Sequence, residues 1–255
     1  MLQNRMHDTT ELARWILNAN TMVAFTGAGI STESGIPDFR SPGGIWAQSQ
    51  PVYFDQFLTD ASARYEYWRQ KAIAHRDFFD STPNVGHQLL ATWEQEGRLQ
   101  GVITQNIDGL HQLAGSEQVV ELHGTARQIA CLDCESRFGA ASLVEQFLAE
   151  DAVPACPDCE GRLKHATISF GQALDPRVME MATAWTQEAE LYLAMGSSLV
   201  VQPAATLPQL AKQMGSKLVI INRDATPLDA LADMVIHAPI GETLRQVQKA
   251  MTRVT

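Results

Sequence analysis

Two short polar clusters concentrate the chemistry of this chain: Thr104-Gln-Asn106-Ile-Asp108-Gly-Leu-His111, and His123-Gly124 after Val119-Val-Glu-Leu122. Between them they offer a carboxylate, two amides and two imidazoles, each cluster following a short β-branched run of strand type. In an open α/β sheet the ligand crevice lies just outside the carboxyl ends of the strands. Both clusters are therefore expected on one pocket. His123 is the candidate general base, because an unperturbed imidazole titrates near pH ~6.5 and can take a proton at neutral pH. Gly124 beside it is expected to let a ligand come close. His111, one helical turn past Asp108, reads as packing or support, while His7, His75, His87, His165 and His237 show no partner in the sequence.

A second constellation is Gly27-Ala-Gly29-Ile-Ser31 after Met22-Val-Ala-Phe-Thr26. It resembles a dinucleotide-binding turn whose third glycine is replaced by Thr32, and alone it is a weak signal. Small residues there still let backbone amides approach a pyrophosphate at a helix start. Asn222, after the run ending at Ile221, could hydrogen-bond a ribose hydroxyl. The cysteines carry the third constellation. Cys131-Leu-Asp-Cys134 and Cys156-Pro-Asp-Cys159 are separated by 21 residues, close to the spacing of a four-thiolate zinc site. Four thiolates close a tetrahedron and leave no position for water, so the metal is expected to be structural. A redox Cys-x-x-Cys is the rival reading.

The elements that must position these residues follow from the pattern of short aliphatic runs at 22–26, 102–104, 119–122, 191–195, 218–221 and 234–236, which read as buried parallel strands. Five of them end in small or polar residues: Gly27-Ala-Gly29, Gln105-Asn106-Ile-Asp108, His123-Gly124, Gly196-Ser197-Ser198 and Asn222-Arg223-Asp224. Helices are expected between them, one near 10–16 with Leu12, Trp15 and Ile16 on one face, another over 202–215 ending at Gly215. Two segments interrupt the alternation. One, 36–95, opens with a Pro- and Gly-rich stretch and turns helical, with Phe54, Phe57, Leu58, Tyr65, Trp68 and Phe78 available for a satellite core. The other, 126–165, holds the cysteines, and Ser142-Leu-Val-Glu145 reads as a capping box inside it. The expected fold is α/β: a Rossmann-like parallel sheet with helices on both faces over 1–35, 96–125 and 166–255. A smaller domain, with a helical module (36–95) and a four-cysteine zinc module (126–165), completes it.

Composition sets outer limits. The chain has 255 residues with 45% hydrophobic and 19% charged, ordinary for a globular protein. A formal net charge of −10 and a pI near 5.1 argue against a phosphate-backbone binder. No apolar run reaches the roughly 18 residues of a membrane span, and the first residues lack a secretory profile. A cytoplasmic enzyme with no membrane or direct nucleic-acid partner, acting as a monomer, is the expectation.

The chain resembles the sirtuins, NAD-dependent protein-lysine deacylases, over nearly its whole length. Gly27-Ala-Gly-Ile-Ser31, Glu33-Ser-Gly-Ile-Pro-Asp-Phe-Arg40, Thr104-Gln-Asn-Ile-Asp-Gly-Leu-His111, His123-Gly124, both cysteine pairs, Gly196-Ser-Ser-Leu199, Pro203-Ala204 and Ile221-Asn222 occur in that family's order and spacing. The resemblance implies NAD as co-substrate, one structural zinc, and acetylated-lysine proteins or peptides as partners. It implies His123 and Asn106 as catalytic residues, and a cofactor site of Gly27, Ala28, Gly29, Ile36, Asp38, Phe39, Arg40, Trp46, Gln105, Asn106, Ile107 and Asp108. Gly196, Ser197, Ser198, Asn222, Arg223 and Ile240 complete that site. Cys131, Cys134, Cys156 and Cys159 would bind the metal.

By the same resemblance the acetyl oxygen of a substrate lysine attacks the anomeric carbon of the nicotinamide ribose, nicotinamide leaves, and His123 deprotonates the ribose diol. Water then completes release of free lysine and O-acetyl-ADP-ribose. The peptide would lie extended between Ser198–Val201 and a stretch reading Ile168-Ser-Phe170-Gly171-Gln172, with Gln where Glu is usual; Ile168, Phe170, Gly171, Gln172 and Val200 are its implied contacts. Members that remove negatively charged acyl groups carry a Tyr and an Arg three residues apart. Here Arg64-Tyr-Glu-Tyr-Trp-Arg69 does not fit, and Glu66 would repel such a group, so acetyl and other uncharged acyl groups are expected. Mono-ADP-ribosyl transfer or NAD hydrolysis in the same pocket is the alternative enzyme, and a zinc-stabilised NAD sensor the non-enzymatic one.

Overall fold

A computed structural model describes residues 2–38 and 50–254. Six parallel strands form the main sheet: β1 (Met22–Thr26), β2 (Leu99–Thr104), β3 (Val119–Glu121), β7 (Leu191–Met195), β8 (Lys217–Ile221) and β9 (Met234–Ile236). Their spatial order is β3-β2-β1-β7-β8-β9, the doubly wound order in which the chain reverses direction between β1 and β7. Three further strands, β4 (Gly124–Cys131), β5 (Arg137–Gly139) and β6 (Leu163–Thr167), make a separate antiparallel sheet ordered β5-β4-β6.

Burial on both faces explains why the strands read as unbroken apolar runs. One face packs against α1 (Leu2–Asn18), α4 (Val85–Gln95) and α9 (Ile240–Val254), with Leu12, Trp93 and Val247 meeting Ala24, Leu193 and Val219. The other packs Phe25, Ile103, Tyr192 and Ile220 against α7 (Pro176–Glu188) and α8 (Thr206–Gln213). Each fully buried large side chain stabilises the fold by about 1.5–3 kcal/mol in area terms. The crossover helix expected over 202–215 is shorter than that range, and the turn after it closes at Gly215 with φ +97.

A third core joins the helical and cysteine-bearing excursions. Phe57 of α2 (Phe54–Thr59) and Trp68 of α3 (Ala61–Phe79) pack with Phe147 of α6 (Ala140–Glu150), Ile129 and Leu163. Leu58 and Tyr65 lie at its edge. Phe78, expected in this core, instead lines the cavity described below. The capping box expected at Ser142 is not made: α6 starts at Ala140, directly after β5, with Gly139 as its cap and no side-chain cap bond. The early start leaves Ser142 inside the first turn. No helix among the described residues is long and apolar enough to cross a membrane.

Candidate active site

The carboxyl ends of β1 and β7 meet at the reversal point, and three glycines let them do so. Gly27 N donates to Met195 O at 3.0 Å, Gly29 N to Gly196 O at 2.8 Å, and Gly196 N to Ile221 O at 3.0 Å. A Cβ on Gly29 would lie 2.6 Å from Gly196 Cα, and one on Gly196, at φ +65, would lie 2.4 Å from Ile30 N. The expected helix start after β1 is absent. Two single 3₁₀ turns, Ala28–Ile30 and Thr32–Ser34, follow instead, and Thr32 Oγ1 donates to Gly29 O at 2.9 Å. Thr32 thus closes a local turn in place of the third glycine.

A cavity of about 1210 Å³ opens above this point. Gly27, Ala28, Gly29, Asp38, Gly196, Ser197, Ser198, Asn222, Arg223 and Ile240 line it, as do Gln105, Asn106, Ile107 and His123. Ile168, Phe170, Gly171 and Gln172 line it too. Ile36 is buried away from the cavity, Val200 is exposed beside it, and Asp108 does not reach its wall. Phe39, Arg40 and Trp46 lie outside the described residues.

Asp108 has a different position from the one its neighbours suggest. Its Oδ2 accepts from Ser31 Oγ at 2.7 Å and its Oδ1 from Leu110 N at 2.9 Å. Asn106 Nδ2 in turn donates to Ser31 Oγ at 3.1 Å and Gly27 O at 3.2 Å. A buried carboxylate and amide therefore fix Ser31 and the glycine turn from behind, where full satisfaction of polar groups rigidifies a site. His111 belongs to the same layer: its Nε2 meets Thr26 Oγ1 at 2.9 Å, its ring packs edge-on against His87 at 4.8 Å, and burial holds its pKa well below the usual value. Burial likewise lowers His87 to about 4.

His123 joins β3 of the large sheet to β4 of the small one. Its Nδ1 lies 3.0 Å from Gln105 O, an acceptor only, so Nδ1 carries the proton and Nε2 is left as acceptor on a ring lining the cavity. Burial lowers its pKa, partly opposed by that hydrogen bond. Gln105 is held in turn, its Nε2 donating to Ser197 Oγ at 2.7 Å. Gly124 plays another part than giving a ligand room: at φ +70, any Cβ would collide with Ala166 O at 2.0 Å. Its need is the tight turn that brings β6 alongside, where Ile168 N donates to His123 O at 2.9 Å.

The four cysteine sulfurs lie within 4.8 Å of one another, Cys131 to Cys159 at 3.6 Å and Cys134 to Cys156 at 3.7 Å. Four sulfurs at the zinc–sulfur distance of roughly 2.3 Å would stand about 3.8 Å apart along tetrahedron edges. The donor set fits zinc. Asp133 N and Cys134 N also point at Cys131 Sγ, at 3.4 and 3.5 Å, and Asp133 clamps Arg162 of the facing pair at 2.8 Å.

The cavity also has walls that the motifs did not announce. Glu33 lines it and caps α9 by accepting from Gly241 N at 2.8 Å. Tyr67, Lys71, Ala74 and Phe78 face it from α3, and their helical spacing is the only signal the sequence offers for them.

Comparison with known proteins gives a consistent result. The Sir2 family model matches residues 27–203. A Rhodopseudomonas palustris protein called NAD-dependent protein deacetylase is 47% identical over 236 residues, covering 92% of this chain and 93% of that one. NAD-dependent protein deacetylase 1 of Bradyrhizobium diazoefficiens is 47% identical over 91% of this chain and 92% of its own. Among solved structures, a Sir2–p53 peptide–NAD+ complex superposes with TM-score 0.86 at 35% identity, covering 96% of this chain and 98% of that one.

Proposed function

The chain belongs to the Sir2 family and is an NAD-dependent protein deacetylase, and we propose that His123 is its general base, with Asn106 holding the reacting end of the pocket. The observation that carries this assignment is the His123–Gln105 hydrogen bond at 3.0 Å. It fixes one tautomer and leaves Nε2 able to take a proton from a substrate hydroxyl, as a base positioned in a cavity must. Because burial lowers the pKa of His123, the neutral, proton-accepting ring is the resting form at neutral pH.

NAD is the co-substrate, and the electrophilic anomeric carbon it brings is the chemistry the protein lacks. Gly27, Ala28 and Gly29 present backbone close to a pyrophosphate, Ser197 and Asn222 face the adenosine half, and Gln105 and Ile107 flank the nicotinamide half. Asp108, behind Ser31, acts as a positioning residue. Acetylated lysine enters between Ser198–Val201 and Ile168–Gln172, where extended backbone can pair with a peptide. The four thiolates hold a structural zinc with no position for water.

We read residues 36–95 and 126–165 as a small domain set against a large one of 1–35, 96–125 and 166–255, a division supported by the separate aromatic core. The acidic balance supports a chain without nucleic-acid partners, the use of all four cysteines as metal ligands and not in disulfides a cytoplasmic location, and a monomer is the simplest assembly. Incubation with an acetylated peptide and NAD tests the reading. Equal amounts of nicotinamide, deacetylated peptide and O-acetyl-ADP-ribose are expected; ADP-ribose attached to protein or released free, without the acetylated product, would replace it with ADP-ribosyl transfer or NAD hydrolysis.

A further inference from the structure

We propose that Arg127 is a positioning residue for the nicotinamide half of the site: it holds the Gln105–Gly109 loop through the backbone of Asp108, and so sets how tightly the enzyme grips NAD and nicotinamide. The inference rests on the deacetylase reading above and extends it to a residue that does not line the main cavity.

The position of Arg127 follows from an irregularity in β4. Gly124 pairs with Thr167 and Ile129 with His165, so Thr125, Ala126, Arg127 and Gln128 stand opposite the single residue Ala166. Extra residues in one strand leave the ladder and re-aim their side chains, a device common beside active sites. Here the displaced segment turns to the loop that follows β2. Ala126 N donates to Ile107 O at 2.8 Å, and Arg127 Nε to Asp108 O at 2.6 Å. With His123 Nδ1 at 3.0 Å from Gln105 O, three rungs tie residues 123–127 to three carbonyls of the loop. Two of those rungs are side chains, the base and Arg127.

The loop presents Gln105, Asn106 and Ile107 to the cavity. Asn106 Nδ2 and Asp108 Oδ2 anchor it to Ser31 Oγ at 3.1 and 2.7 Å. Asp108 is thus held twice, its carboxylate by Ser31 and its carbonyl by Arg127. Without the second hold, the end of the loop that carries Ile107 and Asp108 is free to tilt away from the dinucleotide.

The surroundings suit a guanidinium. Gly109 has φ +70, and a Cβ on it would lie 2.5 Å from Arg127 Nε and 2.6 Å from its Cδ, so the arginine stem rests directly on the glycine. The ring of Phe79 on α3 meets the same group, its centroid 5.6 Å from Cζ. Burial weakens the hold of Arg127 on its proton, and the negative charges of Asp108 and Glu121 oppose that effect. Nη2 is buried with no hydrogen-bond partner among the described residues, which costs stability. An apolar side chain would fill the space beside Gly109 and Phe79 without that cost; what it lacks is the Nε donor.

The test compares wild type, Arg127→Met and Arg127→Lys in the full-length protein, measuring KM for NAD, the inhibition constant of nicotinamide and KM for one acetylated peptide. Arg127→Met should raise the first two by about tenfold, the lower end for loss of one hydrogen bond to a charged group, and leave KM for the peptide within twofold. Arg127→Lys keeps the charge but not the planar donor, and should shift the same two constants by about threefold. It carries the test alone should Arg127→Met fail to fold. Unchanged NAD and nicotinamide constants overturn the proposal, and so does an equal loss on the peptide side, which would mark Arg127 as a support of the whole fold. If wild type consumes NAD with the acetylated peptide and the variants match it, this proposal fails alone; if wild type consumes none, the deacetylase reading fails with it.

Discussion

The reversal point of the large sheet and the cysteine-bearing lobe solve opposite problems. At Gly27, Gly29 and Gly196 the structure is specified by missing atoms: backbone lies on backbone at distances no Cβ allows. In the lobe it is specified by side chains, four thiolates and an aromatic cluster around Trp68 and Phe147. The first region should be intolerant of any addition, whereas the second should depend on its metal and be indifferent to most of its surface. His123 serves both, in the two-residue link between β3 and β4.

Removing the metal should break the comparison most visibly. Structural zinc contributes an apparent ~10–16 kcal/mol in small zinc domains, so a strong chelator, or Cys131→Ser with Cys159→Ser, should unfold β4–β6 while the parallel sheet persists. Hydrogen exchange would read this directly, with protection lost at Ile129 and Leu163 and kept at Ala24 and Leu193. Uniform loss in both sheets would show that the lobe is not a separate unit. At the reversal point Gly196→Ala should cost about 3 kcal/mol, combining left-handed backbone strain with overpacking. Denaturant midpoints measure it, and a loss under half that size would mean the two loops can move apart.

Acid should act on the polar layer behind the glycines through its buried imidazoles. His87 titrates at about 4 in the fold against ~6.5 unfolded. The unfolded chain therefore binds the proton first, stability from this residue is complete above pH ~6.5, and it is lost at about 1.4 kcal/mol per pH unit as pH falls toward 4. Chemical denaturation between pH 7 and 4.5 checks the slope, and His87→Gln should reduce it by that amount, leaving the share of the other buried imidazoles. The smallest effect is expected at Ser142→Ala. This exposed residue caps nothing, so stability should stay within about 0.5 kcal/mol; a larger loss by thermal melting would restore the capping role.

The same contrast explains what the sequence disclosed. All six sheet strands were legible because parallel strands buried on both faces leave unbroken apolar runs, and the cysteine pairs because metal geometry fixes their spacing. The role of Gly124 was not, since a glycine reads alike whether it admits a ligand or avoids Ala166 O. Asp108 read as a pocket residue because its strand-end position is visible, while the orientation of its carboxylate toward Ser31 is a tertiary fact. Lys71 was hidden for the same reason: only the packing of α3 against β6 shows which face of that helix meets the cavity.

The central claim is that His123, held by Gln105, is the base of an NAD-dependent deacetylase. Quantifying nicotinamide and O-acetyl-ADP-ribose from NAD and an acetylated peptide, for wild type and His123→Ala at matched NAD occupancy, tests it most directly. Loss of a positioned base should lower product formation by about 10²–10⁴-fold with NAD affinity little changed. A variant that still forms O-acetyl-ADP-ribose at close to the wild-type rate would contradict the account.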